Sequence, residues 1–173
     1  MCSPTRFLAF VLCAIGLPNL PASSTDYDPA RFEASVLATG LHDPMQAASL
    51  RNGDVILVER RGLVKRFVAA NQNVVHLGKI PVAVYAEMGL LGLALDPDFD
   101  TNHRLYLFLC PEEKRDHLRL IRAALGPDGR LDLANQKTIL EFPFDDKGAQ
   151  HMGGGLAMHP NGELWIGTGD NCP

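Results

Sequence analysis

The residues of this chain best suited to chemistry cluster late in the sequence. Gln150-His151-Met152-Gly153-Gly154-Gly155 sets a histidine against three consecutive glycines, and Gly167-Thr168-Gly169-Asp170 follows. A glycine run lets backbone approach a ligand closely, because no Cβ stands in the way. Asp170 lies 19 residues beyond His151, across a segment that reads as a hairpin and so returns the carboxylate towards the imidazole. A carboxylate bonded to one ring nitrogen fixes the tautomer and leaves the other nitrogen free as a general base. Two readings of the cluster stand side by side: a His151–Asp170 dyad, or a glycine-rich turn carrying a polar loop histidine.

Other catalytic readings lack their partner residues. A His-Gly-Gly-Gly loop supplies oxyanion-hole amides in α/β-hydrolases, but Met152 interrupts that pattern. The chain also has no G-x-S-x-G elbow and no strand–helix alternation. Asp96-Pro97-Asp98-Phe99-Asp100-Thr101-Asn102 places oxygens at alternate positions, as a calcium loop does. An EF-hand would need Gly in place of Thr101, Glu in place of Leu107 and flanking helices, so the segment reads as a polar turn capped by Phe99. His42, His76, His103, His117 and His159 have no ligand spacing and no C-x-x-C pair occurs, so no metal ligands are assigned. Arg60-Arg61 with Lys65-Arg66 reads as a solvated strand face rather than an anion site. Trp165 reads as an inner-strand residue packed between sheets.

The elements that must position His151 and Asp170 are strands. Helical periodicity is scarce, and Gly, Pro and Asn-Gly turns punctuate the chain at short intervals. Three segments, Ala47–Phe67, Leu91–Cys110 and Gly155–Asp170, share one design. Each begins with a short apolar strand, turns through Asn-Gly or a Pro-Asp loop, and returns in a β-branched or aromatic strand. Aligning Leu50, Leu95 and Met158 gives spacings of 45 and 63 residues. The first spacing matches a four-stranded propeller blade, and the second a blade with an insertion. Outer strands are expected at Val74–Val84, Leu118–Leu125 and Lys137–Phe142, with Gly126-Pro127-Asp128-Gly129 as a tight turn. The expected fold class is all-β, a partial β-propeller of about three antiparallel blades, with a plain antiparallel sandwich as the alternative. A closed ring takes at least four blades, so the sequence reads as cut short, with an open sheet edge available for self-association.

Composition sets the outer limits. The chain has 173 residues, 46% apolar and 21% charged, which suits one core of ordinary size and excludes disordered, coiled-coil and collagen-like chains. A formal charge of -4 without a basic run argues against nucleic acid as a partner. No apolar run reaches the roughly 18–20 residues of a membrane span. Arg6, the apolar run Phe7–Leu17, Pro18 and then Ala22-Ser23-Ser24 follow the order of an export signal cleaved after Ser24. A buried N-terminal helix is the alternative, opposed by Pro18 and Pro21. The expected organisation is therefore a signal peptide at 1–24 and a propeller portion at 25–173, in a periplasmic or secreted protein. Cleavage would remove Arg6 but no acid, moving the charge from -4 to -5, and would leave only Cys110 and Cys172. Two cysteines do not make a disulfide scaffold, and Cys110, which ends an apolar run, reads as a buried thiol.

Two stretches taken together carry a family resemblance. Glu87-Met88-Gly89-Leu90-Leu91-Gly92-Leu93-Ala94-Leu95-Asp96-Pro97-Asp98-Phe99 and the later His151–Asp170 stretch resemble, in this order, the glucose/sorbosone dehydrogenase family. The likeness runs from about Leu41 to Asn171. The family comprises exported six-bladed β-propellers and includes soluble quinoprotein sugar dehydrogenases that use pyrroloquinoline quinone (PQQ). The resemblance implies an oxidoreductase acting on a hydroxyl of a sugar or related alcohol. By the same resemblance, His151 would take the hydroxyl proton while hydride passes to the quinone, and Asp170 would support the histidine. The position matching Glu87 would touch the cofactor, with Gln150 beside it. Quinoprotein members carry Gln in place of Glu87 and Asp in place of Gln150. A second carboxylate near an acidic quinone is repulsive unless calcium or protonation offsets it. The calcium ligands, and the Lys and Arg that hold PQQ, come from later blades. The family also holds propellers that only bind partner proteins, so a non-catalytic binding module is the alternative function.

Overall fold

A computed structural model describes residues 33–144 and 149–170 of the chain. The expected signal at 1–24 and Cys172 lie outside the described residues. Residues 33–39 carry no regular secondary structure, and a compact unit begins at Gly40. Its first four strands, β1 Pro44–Ser49, β2 Val55–Glu59, β3 Leu63–Val68 and β4 Asn73–Lys79, form one antiparallel sheet in chain order. The next four, β5 Leu90–Leu95, β6 Arg104–Leu109, β7 His117–Leu125 and β8 Leu131–Pro143, form a second. β9 Gly153–Met158 and β10 Leu164–Thr168 pair as a two-stranded third sheet.

Turn chemistry sets the hairpins. At Asn52-Gly53, Leu50 N–H donates to Asp54 O at 2.8 Å while Asn52 Oδ1 accepts from Asp54 N–H at 3.1 Å. At Gly126–Gly129, Gly126 N–H donates to Arg130 O at 2.7 Å, as the Pro-Asp-Gly sequence there demands.

The inner strands of the middle sheet, β5 and β6, are buried on both faces, which explains their near-continuous apolar sequences LLGLAL and RLYLFL. Leu90, Leu93, Leu105, Leu107, Leu109 and Ile121 pack with Ile56, Val58 and Val64 of the first sheet. Leu91, Ala94, Phe108, Leu118 and Leu120 face the opposite way, towards Met152 and Leu156. Leu91 and Leu93 should share a face by strand alternation, but a bulge between Leu90 and Gly92 switches the phase, so Leu91 joins the second core and Leu93 the first. Each fully buried Leu or Phe in these layers contributes about 1.5–3 kcal/mol.

The three first strands lie side by side, as blades in a propeller do. The Gln46 side chain on β1 donates to Leu156 O of β9 at 2.7 Å, and its Oε1 accepts from Leu93 N–H of β5 at 3.1 Å and Leu156 N–H at 3.3 Å. The fold is all-β, a partial β-propeller, and the sandwich alternative is excluded by this inner-strand contact.

Several expectations need correction. The strand expected at Val74–Val84 stops at Lys79, because Pro81 cannot continue a ladder; Val82 instead makes an isolated bridge to Pro111, just past the end of β6. The strand expected at Lys137–Phe142 is the end of the 13-residue β8. The polar turn after Asp96 contains a single helical turn, α1 Phe99–Asn102, with His103 in the left-handed region at φ 53° and Phe99 buried. Trp165 does not pack between sheets: it lies on β10 opposite Ala157 and is 67% exposed. Alternate β9 residues Gly154 and Leu156 are buried while Gly155 and Ala157 are exposed, so Trp165 stands on the uncovered face.

The basic strand residues are likewise not a simply solvated face. Lys65 is buried against Glu59, Nζ to Oε1 at 2.6 Å, and Glu59 Oε1 also accepts from His42 N–H at 2.9 Å. Arg66 pairs with the buried Asp54, which also accepts from Ala69 N–H at 2.8 Å. Burial pushes the Asp54 carboxyl up, but bonds from Ala69, Arg66 and Asn52 outweigh it, and the group sits below its ordinary value.

Candidate functional site

His151 and Asp170 meet. The hairpin β9–β10 returns Asp170 across from the turn that opens β9, and His151 Nδ1 lies 2.9 Å from Asp170 Oδ1. With a carboxylate as acceptor, Nδ1 carries the proton, so the ring presents Nε2 as its lone-pair nitrogen. Nε2 has no partner among the described residues, and the His151 side chain is 56% exposed. His151 sits in the left-handed region at φ 54°, with Ala149 at φ 46° two residues before it. Non-glycine residues reach that region at a cost, and such residues cluster where a side chain must be aimed.

The glycines serve this turn differently from the sequence expectation. A Cβ on Gly169 would overlap the His151 carbonyl oxygen, and one on Gly153 would meet Gly169 N and the Thr168 carbonyl carbon. A Cβ on Gly92 would overlap Gly154 O, and one on Gly154 would reach Leu91 Cβ at 2.5 Å. These glycines let strands pack backbone against backbone; they hold the His151 turn against β10 and β5 rather than opening it to a ligand. Only Gly155 of the run has open space where its Cβ would stand.

Glu87 belongs to the same cluster. Its N–H donates to Ala149 O at 3.1 Å, and its Oε2 accepts from Met152 N–H at 3.4 Å. Gln150 is exposed on the same turn. The structure thus gathers all four candidate residues, His151, Asp170, Glu87 and Gln150, at the opening ends of β5 and β9. No group of three or more potential metal ligands occurs among the described residues.

Two supporting residues escaped sequence reading. Gln46 ties β5 and β9, the strands that follow Glu87 and His151. Arg60 donates to Ala86 O at 2.9 Å and Met88 O at 3.3 Å, and its other terminal nitrogen holds Asp43 at 3.0 Å. It therefore brackets the Glu87 loop through its backbone. The only available signal for Gln46 was a lone amide on the strand PMQAAS; Arg60 looked like one of four interchangeable cations.

The donor set bears directly on a tricarboxylate quinone. It offers an imidazole nitrogen able to accept a proton and an exposed amide at Gln150, which fit the side where a substrate hydroxyl would lie. It also holds two carboxylates, Glu87 and Asp170, and the nearest described cation, Arg60, is spent on the Ala86 and Met88 carbonyls and on Asp43, so the four candidate residues themselves offer such a cofactor no counter-charge.

Comparison with known proteins gives these features a context. The PQQ-bound form of the aldose sugar dehydrogenase from Streptomyces coelicolor is similar at a TM-score of 0.69 and 30% identity, over 79% of this chain and 41% of that one. An uncharacterised protein of Synechocystis is 28% identical over 149 residues, which is 80% of this chain and 35% of the relative. Human Hedgehog-interacting protein is 27% identical over 154 residues, 78% of this chain and 21% of that protein. The chain therefore spans about a third of the first of these curated relatives. No helix among the described residues is long and apolar enough to cross a membrane. The family model of glucose/sorbosone dehydrogenase matches residues 41–172, which takes in every strand from β1 to β10, and the chain belongs to that family.

Proposed function

We propose that this chain forms the substrate-facing part of a PQQ-dependent dehydrogenase that oxidises a hydroxyl of a sugar or related alcohol. The observation that carries the reading is the His151 Nδ1–Asp170 Oδ1 bond at 2.9 Å, which leaves Nε2 as the lone-pair nitrogen of a side chain that is more than half exposed. Bound PQQ supplies the acceptor for the hydride. His151 Nε2 takes the hydroxyl proton, and Asp170 fixes the tautomer and steadies the imidazolium that results. Glu87 fastens its own loop to the Met152 amide, and Gln150 offers its amide to the sugar. Counter-charges for the cofactor, and calcium where it is used, come from residues other than these four. Residues 1–24, read as an export signal, would place the reaction in the periplasm or outside the cell.

The test is dye reduction by protein loaded with PQQ and calcium, with aldoses as substrates. His151→Ala is expected to lower the rate by about 10²–10⁴-fold with the strand content intact, and Asp170→Asn to lower it in the same direction. Wild-type rates in either variant would refute the assignment. The second reading, a non-catalytic propeller with a binding surface, is favoured by the likeness to human Hedgehog-interacting protein and by the carboxylate at Glu87. Addition of PQQ and calcium without spectral change or thermal stabilisation would select it.

A further inference from the structure

A second polar recess lies between the first and second sheets. It is a cleft of about 540 Å³ lined by Arg61 from the β2–β3 turn, Lys79 at the end of β4, and Glu112 and Arg115 from the β6–β7 connection. Its floor is the extended segment Pro81–Val84, which is fixed from both sides. Ile80 N–H donates to Gly62 O in the β2–β3 turn at 2.9 Å, and Ala83 N–H donates to Cys110 O, just past β6, at 2.9 Å. The cleft opens at the same end of the sheets as the His151 turn. Leu90 N–H donates to Arg60 O at 2.8 Å and Glu87 N–H to Ala149 O at 3.1 Å, which links the β2–β3 turn to that turn in two steps.

Two of the three cations here are uncommitted and the third is held only loosely. Lys79 and Arg115 have no hydrogen-bond or ion-pair partner among the described residues, and Arg61 has only Asp43, at 4.0 Å. The lining thus holds three cations and one carboxylate, Glu112, a formal +2 in a chain whose formal charge is -4, with Asp43 outside the lining 4.0 Å from Arg61. Like charges held together on a rigid wall repel one another unless an anion joins them. Guanidinium forks match the oxygens of a tetrahedral oxyanion, and an ammonium adds a point charge. We propose that this cleft binds a dianionic oxyanion, a phosphate or sulfate ester, whose organic group lies along Pro81–Val84. The charge of a dianion matches the +2 of the lining. The volume falls in the range of small-molecule sites and exceeds what a free ion fills. The proposal is independent of whether the His151 site is catalytic.

The experiment is isothermal titration of the full chain with glucose 6-phosphate, inorganic phosphate and glucose. Saturable binding of glucose 6-phosphate, tighter than phosphate and absent for glucose, is the expected result. Equal affinity for inorganic phosphate would overturn the ester in favour of a free ion, and absence of saturable binding would overturn the site. Lys79→Gln with Arg115→Gln should weaken binding by about tenfold or more. Arg51→Gln with Lys137→Gln, which removes the same charge elsewhere on the surface, should leave it unchanged; equal weakening in both pairs would reduce the effect to net charge. Amide shifts on adding glucose 6-phosphate to the unsubstituted chain should centre on Gly62, Val82–Val84 and Glu112–Arg115. This measurement does not depend on the variants folding, and shifts centred elsewhere would refute the cleft.

Discussion

Replacing Gln46 tests whether one side chain holds three blades together. Gln46→Leu removes three hydrogen bonds at once: Nε2 to Leu156 O at 2.7 Å, and Oε1 from Leu93 N–H at 3.1 Å and Leu156 N–H at 3.3 Å. A net value of about 1 kcal/mol per bond puts the loss near 3 kcal/mol, with water able to relieve part of it because Gln46 is only half-buried. Gln46→Glu separates the contributions. It keeps an acceptor for both amides but sets a carboxylate against Leu156 O, where the native amide donated. At neutral pH that repulsion raises the pKa of the new carboxyl in the folded state above its unfolded value. Its deficit relative to wild type should therefore shrink as the pH falls through the raised value, when the protonated carboxyl can donate to Leu156 O. Urea unfolding followed by circular dichroism at pH 7 and near pH 4.5 reads both variants against wild type at each pH. A Gln46→Leu loss below about 0.5 kcal/mol, or a Gln46→Glu deficit that ignores pH, would refute the three-bond account.

Two further substitutions probe the site and the second sheet. Gly169→Ala sets a Cβ on the His151 carbonyl oxygen, so the turn must shift; a destabilisation of about 1–3 kcal/mol and loss of His151–Asp170 coupling in imidazole NMR are expected, and an unmoved His151 resonance would contradict the packing. Glu141 bonds Lys114 at 2.5 Å and Arg119 at 2.5 Å, and these partners, Lys114 first, hold its carboxyl down at about 2. A depressed carboxyl stabilises the fold above its unfolded pKa and loses that effect as pH falls towards 2, so wild type should exceed Glu141→Gln in urea midpoint at pH 7 and match it near pH 2; a constant gap would sink the claim.

The hairpins were legible because their turns carry their own chemistry. Asn52-Gly53, Pro127-Asp128-Gly129 and Asn161-Gly162 each close where glycine sits at positive φ. His151 and Asp170 were legible for a similar reason, since a hairpin between them fixes their meeting. What escaped notice depended on contacts between blades. α1 is four residues long, too short to show helical periodicity, and β8 extends through Ala134-Asn135-Gln136-Lys137, an exposed edge with no apolar alternation to mark it. Lys65 and Arg66 looked solvated because their acids, Glu59 and Asp54, stand on the neighbouring strand β2 or its lead-in. The role of the glycines was misjudged because only the fold shows which backbone fills the space beside them.

The Cys110 thiol follows from the same layering. It is wholly buried in the second core, and burial pushes its pKa up to about 11, so it stays a neutral packing group at physiological pH rather than a nucleophile.

Trp165 is the chain's sole tryptophan and stands on the uncovered face of β10. Evolution has thereby left a fluorophore at the boundary of the third sheet. Its indole senses water now, and any surface laid over that face would replace the water with apolar contacts and move the emission to the blue. The colour of one side chain thus reports, without a label, whether the third blade has found a neighbour.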